Sequence, residues 1–397
     1  MESIYPVMSL NSLAKIYNGN SINKTVKQEK YTGLDSGWNF IATKDIGFDG
    51  KVDYENGVKI PFAEDQFKTA PADCVFVCSE GGSAGKKTAY ITQEVCFGNK
   101  LYAIVNNNDL YFAKYIYYFT RSNLFYAQFQ NLLNGIIGGV SSKKFGLIQI
   151  PVPPLPDQER IVTRIEELFS ELDSGVETLK KTKAQLAVYR QAVLHEIFGK
   201  FDEFCKINEI CSHIVDCPHS TPKWVNTGKL CLRTTNFRRG YLDLSEPNYV
   251  SEETFADRIK RLKPCEGDVL YSREGAILGI ACMVPKDVEL CLGQRMMLLR
   301  AKENNSPYFI MHWLNSPYVT NYIKTITGGS ASPHVNVGDI KVQKIPKISL
   351  AEQKRAVAEI ESRLSVCDSI EQTIDAALQE AEALRQSILK QAFEGGL

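Results

Sequence analysis

The 397 residues contain no run of eighteen apolar residues, which argues against a membrane-spanning helix, and Met1 to Leu10 lack a basic-then-apolar secretion leader. The eleven cysteines are odd in number and include no C-x-x-C pair, so a reducing cytoplasm is expected rather than a disulfide framework. Net charge is zero, with 46 basic and 46 acidic side chains. The chain also has no G-x-S-x-G elbow, no H-E-x-x-H helix and no N/D-P-P-Y motor for base methylation. Serines, histidines and carboxylates are present, but none group at a catalytic spacing, and an enzyme is disfavoured.

What the chain does have is a stretch written twice. Residues 150–198 and 345–393 align without a gap at an offset of 195. Identical pairs include Pro151/Pro346, Leu155/Leu350, Gln158/Gln353, Arg160/Arg355, Ile165/Ile360, Asp173/Asp368, Arg190/Arg385, Gln191/Gln386, Leu194/Leu389 and Phe198/Phe393. Each copy begins in prolines and continues as one long helix. In the second, Ser349 and Glu352 form an S-x-x-E capping box; in the first, Pro154 and Pro156 occupy a first turn that tolerates them. At ~1.5 Å per residue, some forty residues make a rod of roughly 60 Å.

The apolar spacing predicts what these rods pack on. Ile165, Leu172, Leu179, Leu186 and Val193 recur every seven residues, interleaved with Ile161, Leu168, Gly175, Thr182 and Tyr189. The second copy holds Ile360, Cys367, Ile374, Ala381 and Ile388, interleaved with Ala356, Arg363, Ile370, Ala377 and Leu384. Five repeats of an a/d pattern predict an antiparallel coiled coil between the rods, its seam including Ile165, Leu172, Leu179, Leu186, Val193, Ile360, Ile370, Ile374, Leu384 and Ile388. Two amphipathic helices lying separately on two domains are the alternative.

The intervening segments repeat as well. Residues 1–150 alternate strand-like runs with turns, at 38–43, 74–78, 88–92 and 100–105, before an aromatic helix over 110–133. In 201–344, Gly267 to Gly275 answers 72–78 and its glycine turn, Cys291 to Arg295 answers Cys96 to Lys100, and a helix over 307–322 answers the aromatic one. Glycine-rich stretches at 135–142 and 328–336 lead into strand-like 145–150 and 340–345. The predicted class is α+β, with domains at 1–150, 151–200, 201–344 and 345–397. The globular segments are slightly basic, 15 charges against 13 and 18 against 16, and the helical ones slightly acidic.

Several motifs are chemically suggestive. Gly81 to Thr88 approaches a phosphate-binding loop, but Glu80 replaces its first glycine and Lys87 its hydroxyl, which leaves a hairpin turn or, alternatively, a DNA-backbone contact by Lys86 and Lys87. Cys211, His213, Cys217 and His219 match no standard zinc spacing, so no metal is expected. A proline-stiffened loop, Pro218 to Trp224, presents His219 and Lys223. The most promising polar cluster is Arg233, Thr234, Thr235, Asn236, Arg238 and Arg239, because Arg grips guanine and Asn pairs adenine with two bonds each. Thr43, Lys44 and Lys51 stand at the equivalent place in the first segment, and Lys143, Lys144, Arg273 and Arg295 are further DNA candidates.

The layout resembles the specificity subunit of Type I restriction-modification systems. The resemblance rests on Ile150-Pro151-Val152-Pro153-Pro154-Leu155-Pro156-Asp157-Gln158-Glu159-Arg160-Ile161-Val162 and its echo Ile345 to Val357, on Gly267 to Arg273, on Asp216 to Pro222, and on the glycine-rich approach to each rod, and it spans essentially the whole chain. Copy one has Asp157 where copy two has Glu352, which keeps the carboxylate. The resemblance implies two pseudo-symmetric target recognition domains separated by two long helices in an antiparallel coiled coil that acts as a ruler. It implies a non-catalytic cytoplasmic chain, without membrane association, that binds bipartite double-stranded DNA. Two methyltransferase subunits using S-adenosylmethionine, and restriction subunits using ATP and Mg²⁺, would dock on it, and it would bind no cofactor itself. Two readings remain open beside it: a related system whose methyltransferase and nuclease share one partner polypeptide, and a coiled-coil adaptor that binds no duplex.

Overall fold

Leu155–Phe198 and Leu350–Glu394 are unbroken α-helices of 44 and 45 residues, the first and second rods. The second starts at the expected box: the Glu352 amide donates to Ser349 Oγ, and the Ser349 amide to Glu352 Oε2 at 2.9 Å. The structure, a computed structural model, describes residues 5–106, 110–133, 138–327 and 333–397. The glycine-rich stretches expected at 135–142 and 328–336 therefore lie partly outside the described residues.

The chain folds as two units, residues 1–179 with 376–397, and residues 180–375, so each unit owns one end of both rods. In the first unit, Ala14–Asn18, Leu101–Asn106, Cys74–Cys78 and Thr88–Ile91 form an antiparallel sheet in that order. A second sheet runs Lys59–Ile60, Trp38–Ile41, Val95–Phe97, Thr69–Ala70, with its central pair parallel. The second unit repeats the first sheet with Cys211–Asp216, Met296–Ala301, Val269–Ser272 and Ala281–Met283. Its other sheet runs Trp224–Val225, Tyr249–Val250, Lys229–Leu232, Leu290–Leu292, again with a parallel pair at Cys231 and Cys291. Each unit also closes on itself: Val7–Ser9 pairs with Gln149–Pro151, and Phe204–Lys206 with Lys344–Pro346.

Both aromatic helices are split. Ala113–Thr120 and Asn123–Asn131 replace the single helix expected over 110–133, because Ser122 ends one turn and caps the next, accepting from Phe125 N. Pro307–Leu314 and Pro317–Thr327 break where Pro317 restricts the residue before it. Of the strands expected over 145–150 and 340–345 only the last residues are strand, in Gln149–Pro151 and Lys344–Pro346; the short helices Ser142–Phe145 and Val337–Val342 overlap their starts.

Rod ends are core residues of the units that hold them. In the first unit, Ile161, Val162 and Ile165 of rod one join Ile388, Leu389, Ala392 and Phe393 of rod two in one buried cluster with the sheet and the aromatic helix. In the second, Ala356, Val357 and Ile360 of rod two join Val193, Leu194, Ile197 and Phe198 of rod one. The same glutamine fastens each rod. Gln158, 0% exposed, accepts from the Phe112 amide at 2.9 Å and donates to the carbonyls of Pro153 and Leu110. Gln353, 1% exposed, accepts from the Ser306 amide at 2.7 Å and donates to Ile348 O and Asn305 Oδ1. A buried amide with its donors and acceptor satisfied fixes one geometry, since each loose group would cost about 1–3 kcal/mol.

Between their ends the rods pair antiparallel within each unit. Arg385 meets Asp173 in the first; in the second, Lys183 meets Asp375, Arg190 meets Asp368 and Glu371, and Arg363 meets Glu196. The seven-residue series Ile360, Cys367, Ile374, Ala381, Ile388 is buried throughout; of its counterpart, Ile165 and Val193 are buried and Leu172, Leu179 and Leu186 half-buried. The interleaved series departs from expectation in part. Ile370 is 40% and Leu384 48% exposed, so neither belongs to the seam. Of that expected series Ile161 and Ala356 are buried and Leu168, Thr182, Arg363 and Ala377 half-buried, and half-buried companions also follow one residue later, at Phe169, Val176, Lys183 and Arg190 and at Leu364, Glu371, Leu378 and Arg385. Their charged members lie along the flank and pair across it, which an apolar pattern does not register.

Candidate nucleic-acid interface

Thr43, Lys44 and Lys87 of the first unit lie where the loop after Trp38–Ile41 meets the hairpin joining Cys74–Cys78 to Thr88–Ile91. Thr43, Lys44 and Asp45 form a 3₁₀ turn, closed by the Asp45 carboxylate accepting from the Ala42 amide at 2.9 Å. Lys87 reaches across to Thr43 O at 3.1 Å and lies 5.1 Å from the exposed ring of Phe48. Lys44 and Lys51 are exposed and held loosely by Asp45 and Asp49, at 3.6 and 3.9 Å. The Gly81 to Thr88 loop is a hairpin connection. Gly85 has φ +70°, and a Cβ there would sit 2.5 Å from Phe129, so the tight turn requires glycine. Lys86 is exposed, as are Lys143 and Lys144 on the short helix that Phe145 anchors.

In the second unit, the loop 216–221 is held by arginines from elsewhere in the chain. Arg273, 5% exposed, donates through Nε and Nη2 to the Asp216 carboxylate at 2.9 and 3.2 Å, and through Nη1 to Val335 O. Asp216 Oδ2 lies 3.0 Å from His219 Nε2, which sets the exposed imidazole. Arg258, also buried, donates to the carbonyls of Leu292, Gly293 and Ser220, and Arg261 to that of Asp216. The Gln294 amide donates to His219 O, and Thr221 Oγ1 to Gln294 Oε1. Arg258, Arg261 and Gln294 escaped sequence reasoning because their partners are carbonyls far away in sequence. Cys211 and Cys217 are buried in two different clusters, so the cysteine-histidine spacing does not converge.

Several candidates are already engaged by the fold. Arg273 is a buried support and does not face solvent. Asn236, expected to read adenine, is 5% exposed and spends its amide on the Arg233 amide and Asp243 O, the counterpart of Asp45 closing its turn. Arg238 is held by Asp243 at 2.8 Å and by the carbonyls of Thr235 and Phe237. Sequence gives what a side chain can bond, not which bonds the fold has used.

The groups left facing outward in this unit are fewer. Arg233 stacks its guanidinium 4.2 Å from the Trp224 ring, beside Thr235 at the edge of a cavity of about 510 Å³ that Asp243, Glu246 and Asn248 also line. Thr234 is half-buried in the same turn. His219, Lys223 and Arg295 are exposed, with Arg295 3.7 Å from Glu274 and in a left-handed backbone conformation (φ +66°). Arg239 is also exposed, and donates to the carbonyl and side-chain oxygens of Asn315 at 3.3 Å. Each unit thus offers a 3₁₀ turn with cations on it, carried on the rim of a two-sheet scaffold.

No helix among the described residues is long and apolar enough to cross a membrane. The sequence matches the family described as "Type I restriction modification DNA specificity domain" over residues 3–186 and 204–380. Among curated relatives, it is 27% identical over 376 residues to the Type I restriction enzyme EcoKI specificity subunit of Escherichia coli (strain K12), covering 88% of this chain and 80% of that protein. It is 25% identical to the EcoBI specificity subunit of Escherichia coli, covering 98% and 85%. Among solved structures, the HsdS subunit from Thermoanaerobacter tengcongensis is similar with a TM-score of 0.52 at 17% identity, over 99% of this chain and 97% of that one. A chain from a study of complex assembly and conformational transition of the type I R-M system reaches a TM-score of 0.74 at 16% identity, over the whole of both. The α+β fold with two long antiparallel helices is shared with those structures. The chain belongs to the family of Type I restriction-modification specificity subunits, non-catalytic proteins that give the complex its DNA specificity.

Proposed function

We propose that this chain reads a split DNA target, with residues 1–150 and 201–344 each recognising one half-site and the rods 151–200 and 345–397 setting the gap. The observation that carries this is the duplication of the whole attachment. Each module is locked to both rods by equivalent residues, Gln158 with Phe393 and Gln353 with Phe198, while the exposed side chains on its rim differ. Similar frames with different rims suit two different half-sites. Thr43, Lys44, Lys51, Lys86, Lys87, Lys143 and Lys144 would serve the first. Arg233, Thr234, Thr235, His219, Lys223 and Arg295 would serve the second, with lysines on phosphates and Arg233 on a base edge.

The chemistry falls to partners. Two methyltransferase subunits carrying S-adenosylmethionine would dock on the chain and methylate adenine, and restriction subunits would add ATP- and Mg²⁺-dependent cleavage, in the cytoplasm. Exchanging residues 1–150 for the corresponding segment of another family member tests the division of labour. Sequencing of methylated adenines in a host expressing the hybrid with its methyltransferase is expected to show one half-site replaced and the other kept. Loss of both half-sites, or change in both, would count against it.

A further inference from the structure

The two units differ at one equivalent place. In the first, Gln386 of rod two ties the rod to the turn between the aromatic helices: its Oε1 accepts from the Asn123 amide at 3.1 Å and its Nε2 donates to Arg121 O at 3.2 Å. In the second, the matching glutamine is Gln191, and Pro317 begins the helix where Asn123 stood. A proline nitrogen carries no proton, so the donor is gone. Gln191 there lines a cavity of about 560 Å³ lying wholly within residues 180–375.

The lining has a consistent chemistry. Arg190, Arg239 and Lys324 face it and no carboxylate lines it. Arg190 is already matched by Asp368 and Glu371, at 2.6 and 2.8 Å. Arg239 and Lys324 are both exposed; Arg239 donates to the neutral oxygens of Asn315, and neither cation forms an ion pair among the described residues. His312, 7% exposed, also lines the cavity, and its Nε2 has no hydrogen-bond partner; Glu361 stands 3.8 Å away, beyond bonding reach. Burial pulls this imidazole down to about 4, so at neutral pH it presents a polar atom without charge. Leu194, Leu364 and Ala187 supply an apolar wall. A cavity lined by an exposed guanidinium without a counter-charge and, elsewhere on its wall, by an unsatisfied buried nitrogen is a place where an anion gains charge-assisted bonds, and the volume suits a small molecule.

We infer that this cavity binds a small organic anion, its phosphate or carboxylate head meeting Arg239 and Lys324 and its apolar body lying against Leu194 and Leu364. The site is separate from the proposed DNA reading and does not depend on it. Calorimetric titration of the full-length chain with phenyl phosphate, benzoate and uncharged benzyl alcohol tests it. At least one anion is expected to bind once per chain, and benzyl alcohol at least tenfold more weakly. Arg239→Gln should weaken the anion tenfold or more, and Pro317→Asn, which restores a donor for Gln191, should weaken it too. Lys260→Gln, on a surface pair with Asp257, should leave it within twofold. Failure of both anions to bind at millimolar concentration, equal binding of benzyl alcohol, or an undiminished Arg239→Gln would overturn the inference. Stoichiometric displacement by a random DNA duplex would also overturn it, by making the cavity part of the DNA surface.

Discussion

Phe393→Ala is expected to destabilise the first unit by about 3–5 kcal/mol, the range for removing a large aromatic from a packed core. Phe393 is the plug by which the end of rod two enters that unit. It is 1% exposed, with ring centroids 5.1 Å from Tyr115 and 5.4 Å from Phe119, both edge-on. Tyr115 in turn donates to Pro151 O at 3.0 Å, at the start of rod one, so the cavity would open beside the point where both rods meet the module. Phe198→Ala should act alike on the second unit, where that ring meets Phe309 and Trp313 at 5.4 and 5.1 Å. Leu384→Ala, on the same rod but largely exposed, should cost no more than about 0.5 kcal/mol. Denaturant unfolding of the three variants checks this; a Leu384 effect as large as that of Phe393 would mean the rods pack through the other face.

Arg273→Ala is expected to cost roughly 3 kcal/mol and to abolish reading of the second half-site alone. Removing one partner of a buried ion pair usually costs about 3–5 kcal/mol, because the survivor keeps a charge without compensation. The lower end applies because Asp216 retains some contact with solvent. The functional loss follows from position: Asp216 sets His219, and the chain from 216 to 221 carries the exposed Thr221 beside Gln294. Thermal unfolding would report the first part. Methylation-motif sequencing would report the second, as a site in which only one half is still specified. Loss of both halves would show that Arg273 acts on folding of the whole chain.

Much of this architecture was legible because the chain contains its own comparison. The duplication located both rods, and the positions Ile360, Cys367, Ile374, Ala381 and Ile388 are buried at every step. The companion positions were misread in part, for a physical reason. On rod one they include Lys183 and Arg190, on rod two Glu371 and Arg385, and these pair along the flank of a narrow seam. Complementary charge at matched positions, read in opposite chain directions, was the signal that could have found them. The site was less legible. Asn236, Arg238 and Arg273 look like readers of bases, yet each is committed to a distant oxygen or a local turn. Arg258 and Arg261 look like surface charges, and Arg258 is in fact a buried support. Long-range carbonyl partners leave no mark in local sequence.

The claim on which the functional account turns is that rod length sets the gap between two half-sites. Inserting seven residues into each rod, one after Leu179 and one before Ala376, keeps the seam in register and adds ~10 Å at 1.5 Å per residue. Against ~3.4 Å per base pair, the methylated motif is predicted to keep both half-sites and to gain up to about three base pairs of spacer. A motif with its original spacer, at full methylation, would contradict the account.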